Sequence, residues 1–197
     1  GGCEKLEVIH NVGKLPAGIV EGNNDGFAGC KSLGEFEFPE GVTSIAGGLF
    51  NGCNALGNVE IPYGVTSIGQ YAFAGCKNLS SVALGNNVEK ISDNAFKNCK
   101  ALKSFAFGKA TKEFSARAFA GCSSLAKLTV SGDNKNIKAV NNAVYSKDGA
   151  TLIMVANMGS HSIAKGTKTI ADGAYEIAAK VSSIAFPATL REIKNSA

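Results

Sequence analysis

The most reactive side chains in this sequence are six cysteines. Cys30, Cys53, Cys76, Cys99 and Cys122 follow one another at intervals of 23 residues, and Cys3 shares their spacing to a leucine three residues on. Six thiols suffice for three disulfides or for a metal site. No Cys-x-x-Cys pair occurs, and only two histidines, His10 and His161, are available as further ligands, so no metal is expected. Glu35 and Glu37 come nearest to a pair of catalytic acids. They alternate along one short stretch instead of converging from separate elements, which acid–base chemistry on a substrate requires. Phosphate-binding loops, dinucleotide-binding glycine patterns and the Gly-x-Ser-x-Gly elbow are all missing. His10 and His161 fall in irregular joins and read as loop histidines, not bases. Met154 and Met158 read as gap-fillers beneath a hairpin. These residues describe no reaction, so neither enzymatic activity nor a cofactor is expected.

Composition narrows the rest. The chain has 197 residues, 45% apolar and 18% charged, which is enough for one domain with a real core and excludes wholesale disorder. No apolar run approaches the roughly 18 residues of a membrane span, so direct membrane insertion is not expected. A formal net charge of +4 is too mild to suggest a nucleic-acid partner.

The cysteines belong to a larger pattern. Phe27, Phe50, Phe73, Phe96 and Phe119 each precede a cysteine by three residues, and Leu33, Leu56, Leu79, Leu102 and Leu125 each follow one by three. Two more apolar columns run through Phe36, Val59, Val82, Phe105, Leu128 and through Phe38, Ile61, Leu84, Phe107, Val130. Another, Ile45, Ile68, Ile91, Phe114, stands ahead of the later tetrads. A 23-residue unit cannot bury its own apolar face, whereas stacked units bury a shared one. The alternation through Val82 and Leu84 predicts a main strand, and Val65 to Ile68 a shorter second one. The Ala- and aromatic-rich stretch from Gln70 to Cys76 predicts a turn of helix. The expected fold is a right-handed solenoid of 23-residue coils, with parallel strands stacked about 4.8 Å apart and short helical turns between them.

In that register the cysteines form one column, with neighbouring Cα–Cβ bonds parallel. A disulfide wants Cβ atoms about 3.8 Å apart and converging. The expectation is a ladder of six buried free thiols. The phenylalanine column occupies an interior position and reads as core.

The whole chain, 1–197, reads as a single repeat domain. Residues 1–130 are regular coils with an irregular first join. Residues 131–162 are an insertion whose centre, Ala143 to Ile153, is a β-hairpin around Asp148-Gly149. Residues 163–197 resume the repeat, with Tyr175 in the phenylalanine column, Ala178 replacing cysteine, Val181 replacing leucine, and an end cut short. Neither end carries a polar cap, so end-to-end self-association is an open option.

The unit running through Val65, Ile68, Gly69, Ala72, Phe73, Cys76, Leu79, Val82 and Leu84 resembles the BspA-like (Treponema-type) leucine-rich repeats. The resemblance covers roughly residues 27–130 and 163–193 and includes the inserted Tyr-Ser-Lys-Asp-Gly hairpin. It implies a leucine-rich repeat solenoid. It also implies a cell-surface or secreted protein that adheres to other proteins, such as host matrix or cell-surface proteins.

The outward positions of the main strand are the candidate partner-binding face. One column reads Glu35, Asn58, Ser81, Ser104, Lys127 and, past the insertion, Ser183; the next reads Glu37, Glu60, Ala83, Ala106, Thr129 and Ala185. The face grades from acidic through small and neutral to weakly basic, and the halves agree. Residues 1–98 hold 6 basic and 10 acidic groups, whereas 99–197 hold 14 and 6. Two readings stay open. One is a protein-binding or adhesion module that uses this face. The other is a structural spacer that displays other domains and has no ligand of its own. A third, carbohydrate binding, would need exposed aromatics, for which Tyr63, Tyr71 and Tyr145 are the candidates.

Overall fold

A computed structural model describes residues 3–9, 18, 21 and 25–197. Its short strands stack in two parallel ladders, one for each strand of the repeating coil. The main ladder comprises β1 (Val8–Ile9), β2 (Glu35–Phe36), β4 (Asn58–Glu60), β6 (Ser81–Ala83), β8 (Ser104–Phe107) and β9 (Lys127–Val130). The second comprises β3 (Ser44–Ile45), β5 (Ser67–Ile68) and β7 (Lys90–Ile91), continued by a bridge from Lys90 to Glu113. Pairing joins Asn58 to Ser81, Ser44 to Ser67 and Ser104 to Lys127, each step advancing by the 23-residue period. A solenoid of about eight such coils results.

The column side chains make the core. Phe50, Phe73, Phe96 and Phe119 are fully buried. Their rings stack nearly parallel, with centroids 5.3 Å apart from Phe50 to Phe73 and from Phe73 to Phe96, and 5.4 Å from Phe96 to Phe119. Phe36 and Phe105 meet this stack edge-on, the arrangement that the ring quadrupole favours. Coils approach so closely that Gly69 has no room for a side chain, since a Cβ there would lie 2.5 Å from the Gly47 nitrogen.

The thiol ladder is present with one correction. Cys30, Cys53, Cys76, Cys99 and Cys122 are buried and free, but Cys3 is exposed. Cys3 lies at the edge of the described residues, and no described coil stacks beyond it. Each inner thiol donates to the phenylalanine carbonyl of the preceding coil: Cys53 to Phe27, Cys76 to Phe50, Cys99 to Phe73 and Cys122 to Phe96, at 3.0–3.2 Å. Burial pushes the Cys53 thiol up to about 12 and holds Cys76 well above its ordinary value, so both stay protonated and unreactive.

The helical turn expected between the strands forms in one coil, as the 3-10 helix Ala116–Phe119. In the other coils from residue 25 onward the equivalent stretch, including Gln70 to Cys76, is a succession of turns. The chain must reverse within a few residues there, and left-handed backbone at Gly52, Gly75 and Gly121 serves the reversal where a longer helix would not.

The hairpin is also present. β11 (Ala143–Ser146) pairs antiparallel with β12 (Thr151–Val155), and β10 (Ile137–Val140) adds a third strand. Met154 is fully buried on β12 and Met158 is half-buried, as gap-fillers should be. Parallel pairing then resumes through β13 (Ser160–Ser162) with β15 (Ser183–Ala185), and through β12, β14 (Thr169–Ile170) and β16 (Glu192–Ile193). These last coils have a second core of Tyr145, Leu152, Val155, Ile163, Ile170 and neighbours, while Ile177 of the same coils packs into the core of the phenylalanine stack.

His161 corrects an expectation. It is not a loop residue but the central residue of β13, paired with Ile184 and only 3% exposed. Its partner places it in the interior column of Val82 and Phe105. His10 and most of the first join lie outside the described residues.

Candidate functional site

The main ladder positions the candidate face. A strand sends alternate side chains to opposite sides. With Phe36, Val59, Val82, Phe105 and Leu128 turned inward, their flanking residues must turn out. All ten candidate residues are exposed: Glu35, Glu37, Asn58, Glu60, Ser81, Ala83, Ser104, Ala106, Lys127 and Thr129. Register brings Asn58 beside Ser81, Glu60 beside Ala83, Ser104 beside Lys127 and Ala106 beside Thr129. Val8, paired with Glu35, extends the first column backward and is 39% exposed.

The acidic end is a shallow depression of about 470 Å³, lined by Glu35, Glu37, Asn58, Glu60, Ser81 and Ala83. Three ion pairs occur among the described residues: Lys31 with Glu4, Lys90 with Glu113 and Lys112 with Glu89. Each ties one coil to the next away from this face. Glu35, Glu37 and Glu60 therefore enter none of the ion pairs found there, and their charges face solvent. Toward Lys127 the face flattens, because Ser81, Ala83, Ser104 and Ala106 project little above the backbone.

One row of the face, that of Ser160 and Ser162, escaped the sequence reading, which places Ser183 and Ala185 in the two columns. Ser160 and Ser162 on β13 pair with Ser183 and Ala185 and carry both outward columns past the hairpin. The signal was available, since Ser160-His161-Ser162-Ile163 precedes Ser183-Ile184-Ala185-Phe186 by 23 residues. A shortened coil hides it. Val155 donates its N–H to the Ala174 carbonyl as Phe50 does to Ala72, so Val155 holds the phenylalanine slot. Only six residues separate it from His161, against nine from Phe50 to Val59. Asn157 closes the gap. Its Nδ2 donates to the Ser123 carbonyl at 2.6 Å, its backbone N–H to Leu125 at 2.7 Å, and its Oδ1 accepts the Lys180 N–H at 2.9 Å.

The aromatic candidates separate. Tyr145 is fully buried, so it is no ligand platform. Tyr63 and Tyr71 are exposed, at 70% and 38%, and stand off the main face. Among the described residues no group of His, Cys, Asp and Glu is gathered to hold a metal. No helix there is long and apolar enough to cross a membrane.

The model of the BspA-type leucine-rich repeat region matches residues 21–148 and 153–197 in six copies. The chain belongs to the BspA-type leucine-rich repeat family. Solved structures with the same fold include a leucine-rich repeat protein from Eubacterium ventriosum, 23% identical with a TM-score of 0.66 over 84% of this chain and 50% of that one. The pneumococcal vaccine antigen PcpA is 24% identical, with a TM-score of 0.71 over 84% of this chain and 48% of its own. A leucine-rich cell surface protein from Faecalibacterium prausnitzii is 22% identical, with a TM-score of 0.61 over 86% and 56%. This BspA-type chain spans about half the length of these structures. No curated protein matches it significantly.

Proposed function

We propose that this chain is a non-enzymatic protein-binding module of a cell-surface or secreted protein, and that it docks its partner on the outward face of the main ladder. The observation that carries the reading is the face itself. Two continuous columns of exposed side chains run along it, with unneutralised carboxylates at Glu35, Glu37 and Glu60 and a lysine, Lys127, at the other end. The small residues between admit close approach by an extended segment. The family and the neighbouring cell surface protein support a surface location. A host matrix or cell-surface protein is the partner class proposed.

The test is retention of purified matrix proteins on the immobilised chain. The expected result is retention that weakens from 0.1 M to 1 M salt, as the Debye length shrinks from about 10 Å to about 3 Å. Glu60→Lys and Lys127→Glu should each weaken it more than Lys97→Glu, which lies off the face. Retention indifferent to salt and to both face substitutions overturns the docking reading. No retention at all favours the spacer, whose support is that the stack is continuous and its buried side-chain polar atoms all have partners among the described residues.

A further inference from the structure

The last coils replace apolar interior residues with polar ones, as a matched set. His161 stands in the column of Phe36, Val59, Val82, Phe105, Leu128 and Ile184. Tyr175 stands in the phenylalanine column. Tyr145 reaches the same point from β11. His161 Nδ1 lies 2.9 Å from the Tyr175 hydroxyl, and Nε2 lies 3.5 Å from the Tyr145 hydroxyl. The Ala164 N–H donates to that second hydroxyl at 3.2 Å.

This arrangement suits a neutral ring. Neutral imidazole has one donor and one acceptor nitrogen, so it serves both hydroxyls at once, donating to one and accepting from the other. A protonated ring donates from both nitrogens. One phenol proton then loses its acceptor, and a positive charge sits in an apolar core. The neighbours that meet the ring are Tyr145 from β11, Ile184 beside it on β15 and Tyr175 from the turn after β14, whose ring lies edge-on to it at 5.8 Å. The two tyrosines are the titratable groups among them. Burial depresses its affinity for a proton, and among the described residues no carboxylate or ammonium group offsets that effect.

A second feature makes this local. The tyrosines belong to the second core, which touches the phenylalanine core on the last turn through Ile177, and a solenoid coil is held only by its neighbours, so this block can open while the phenylalanine stack stays closed. We propose that His161 is an acid-operated latch, whose protonation opens the coils carrying β13 to β16 and leaves the coils before the hairpin intact. Opening removes the rows of Ser160, Ser162, Ser183 and Ala185 from the outward face and bares the second core. The inference stands apart from the docking reading, because its readout is structural and needs no partner.

The sign is fixed by linkage. A base held neutral when closed and free to protonate when open gives stability that is complete above the ordinary histidine value of about 6.5 and is lost as pH falls below it.

The experiment is amide hydrogen exchange on the full chain at pH 7.5 and 5.0, corrected for intrinsic rates. A His10→Gln background leaves His161 as the one histidine. Amides of the last ladder, such as Ile163 donating to Ala185 and Ser182 donating to Gly159, should open up to about thirtyfold more at pH 5.0. The Phe73 and Phe96 amides should change less than about twofold. His161→Leu, which installs the residue that Leu128 supplies to this column, should abolish the difference. If that variant does not fold, the His161 ring is followed by NMR instead. Its protonation should then coincide with loss of the β13 and β15 signals. Any of the following overturns the latch: no acceleration, equal acceleration in both blocks, the same acceleration in His161→Leu, or a ring that protonates near its ordinary value with the ladder intact.

Discussion

The coils before the hairpin and the coils after it run the same path with different interiors. Before it, phenylalanine, cysteine and leucine columns repeat without a break, and the inner polar atoms are thiols, with the one hydroxyl of Thr111, donating to the carbonyls of the coil beneath. After it, Tyr175, Ala178 and Val181 occupy those slots, His161 occupies a strand slot, and the phenylalanine-to-strand span loses three residues. The first block is bound by shape repetition and the second by individual polar contacts. A repeating interior tolerates no change of volume. A polar one tolerates no change of protonation.

The largest expected difference between the blocks is volumetric. Phe73→Ala opens a hole between two stacked rings and should cost about 3–5 kcal/mol in chemical denaturation. Tyr175→Ala should cost clearly less, because Tyr175 is only half-buried. Equal losses would mean that the blocks are packed alike. Next comes the amide patch. Asn157→Ala strips partners from the Ser123 carbonyl and the Lys180 N–H and should cost about 2 kcal/mol. Hydrogen exchange should assign that loss to the last coils. A change below about 0.5 kcal/mol, the scale of an ordinary surface substitution, would mean the shortened coil closes without it.

A smaller effect separates the blocks by pH. Burial raises the Cys53 and Cys76 thiols, so the folded stack keeps protons that the unfolded chain releases above about 8.5. Stability from these thiols is complete below that value and is lost as pH rises through it, by about 1.4 kcal/mol per fully buried thiol at pH 9.5. Cys76→Ala should flatten the slope of a denaturation series from pH 8 to 9.5, and an unchanged slope would contradict the burial. The first block is thus weakened by base, while the proposed latch weakens the second in acid. The smallest signal is chemical. Thiol titration of the native protein should find one fast group, Cys3, and all six after denaturation. Two or more fast groups would mean that the ladder frays.

What the sequence made legible follows from this contrast. Columns at a constant interval reveal the coil, its interior and its outward face, because stacking forces the same residue types to the same place. That logic located Phe73, Cys76 and all ten face residues. It failed where stacking has no neighbour or where the interval breaks. Cys3 matches the column in type, but no preceding described coil covers it. His161 sits in register with Ile184, but the shortened coil before it hides the match from any reading that counts forward from Cys122. The helical turn between strands was over-read from alanine content. The glycine after the phenylalanine, left-handed at Gly75, commits the chain to a tight reversal instead.

The close approach of Gly69 to the Gly47 backbone shows how nearly interchangeable the coils are, since adjacent turns meet at main chain with no side chain between. Residues 60–82 could in principle be excised as a unit, joining Val59 to Ala83. Every later residue would then fall into the place of its counterpart one turn earlier. The rod would shorten by one strand spacing, about 4.8 Å, so its length can be edited in fixed increments like the links of a chain.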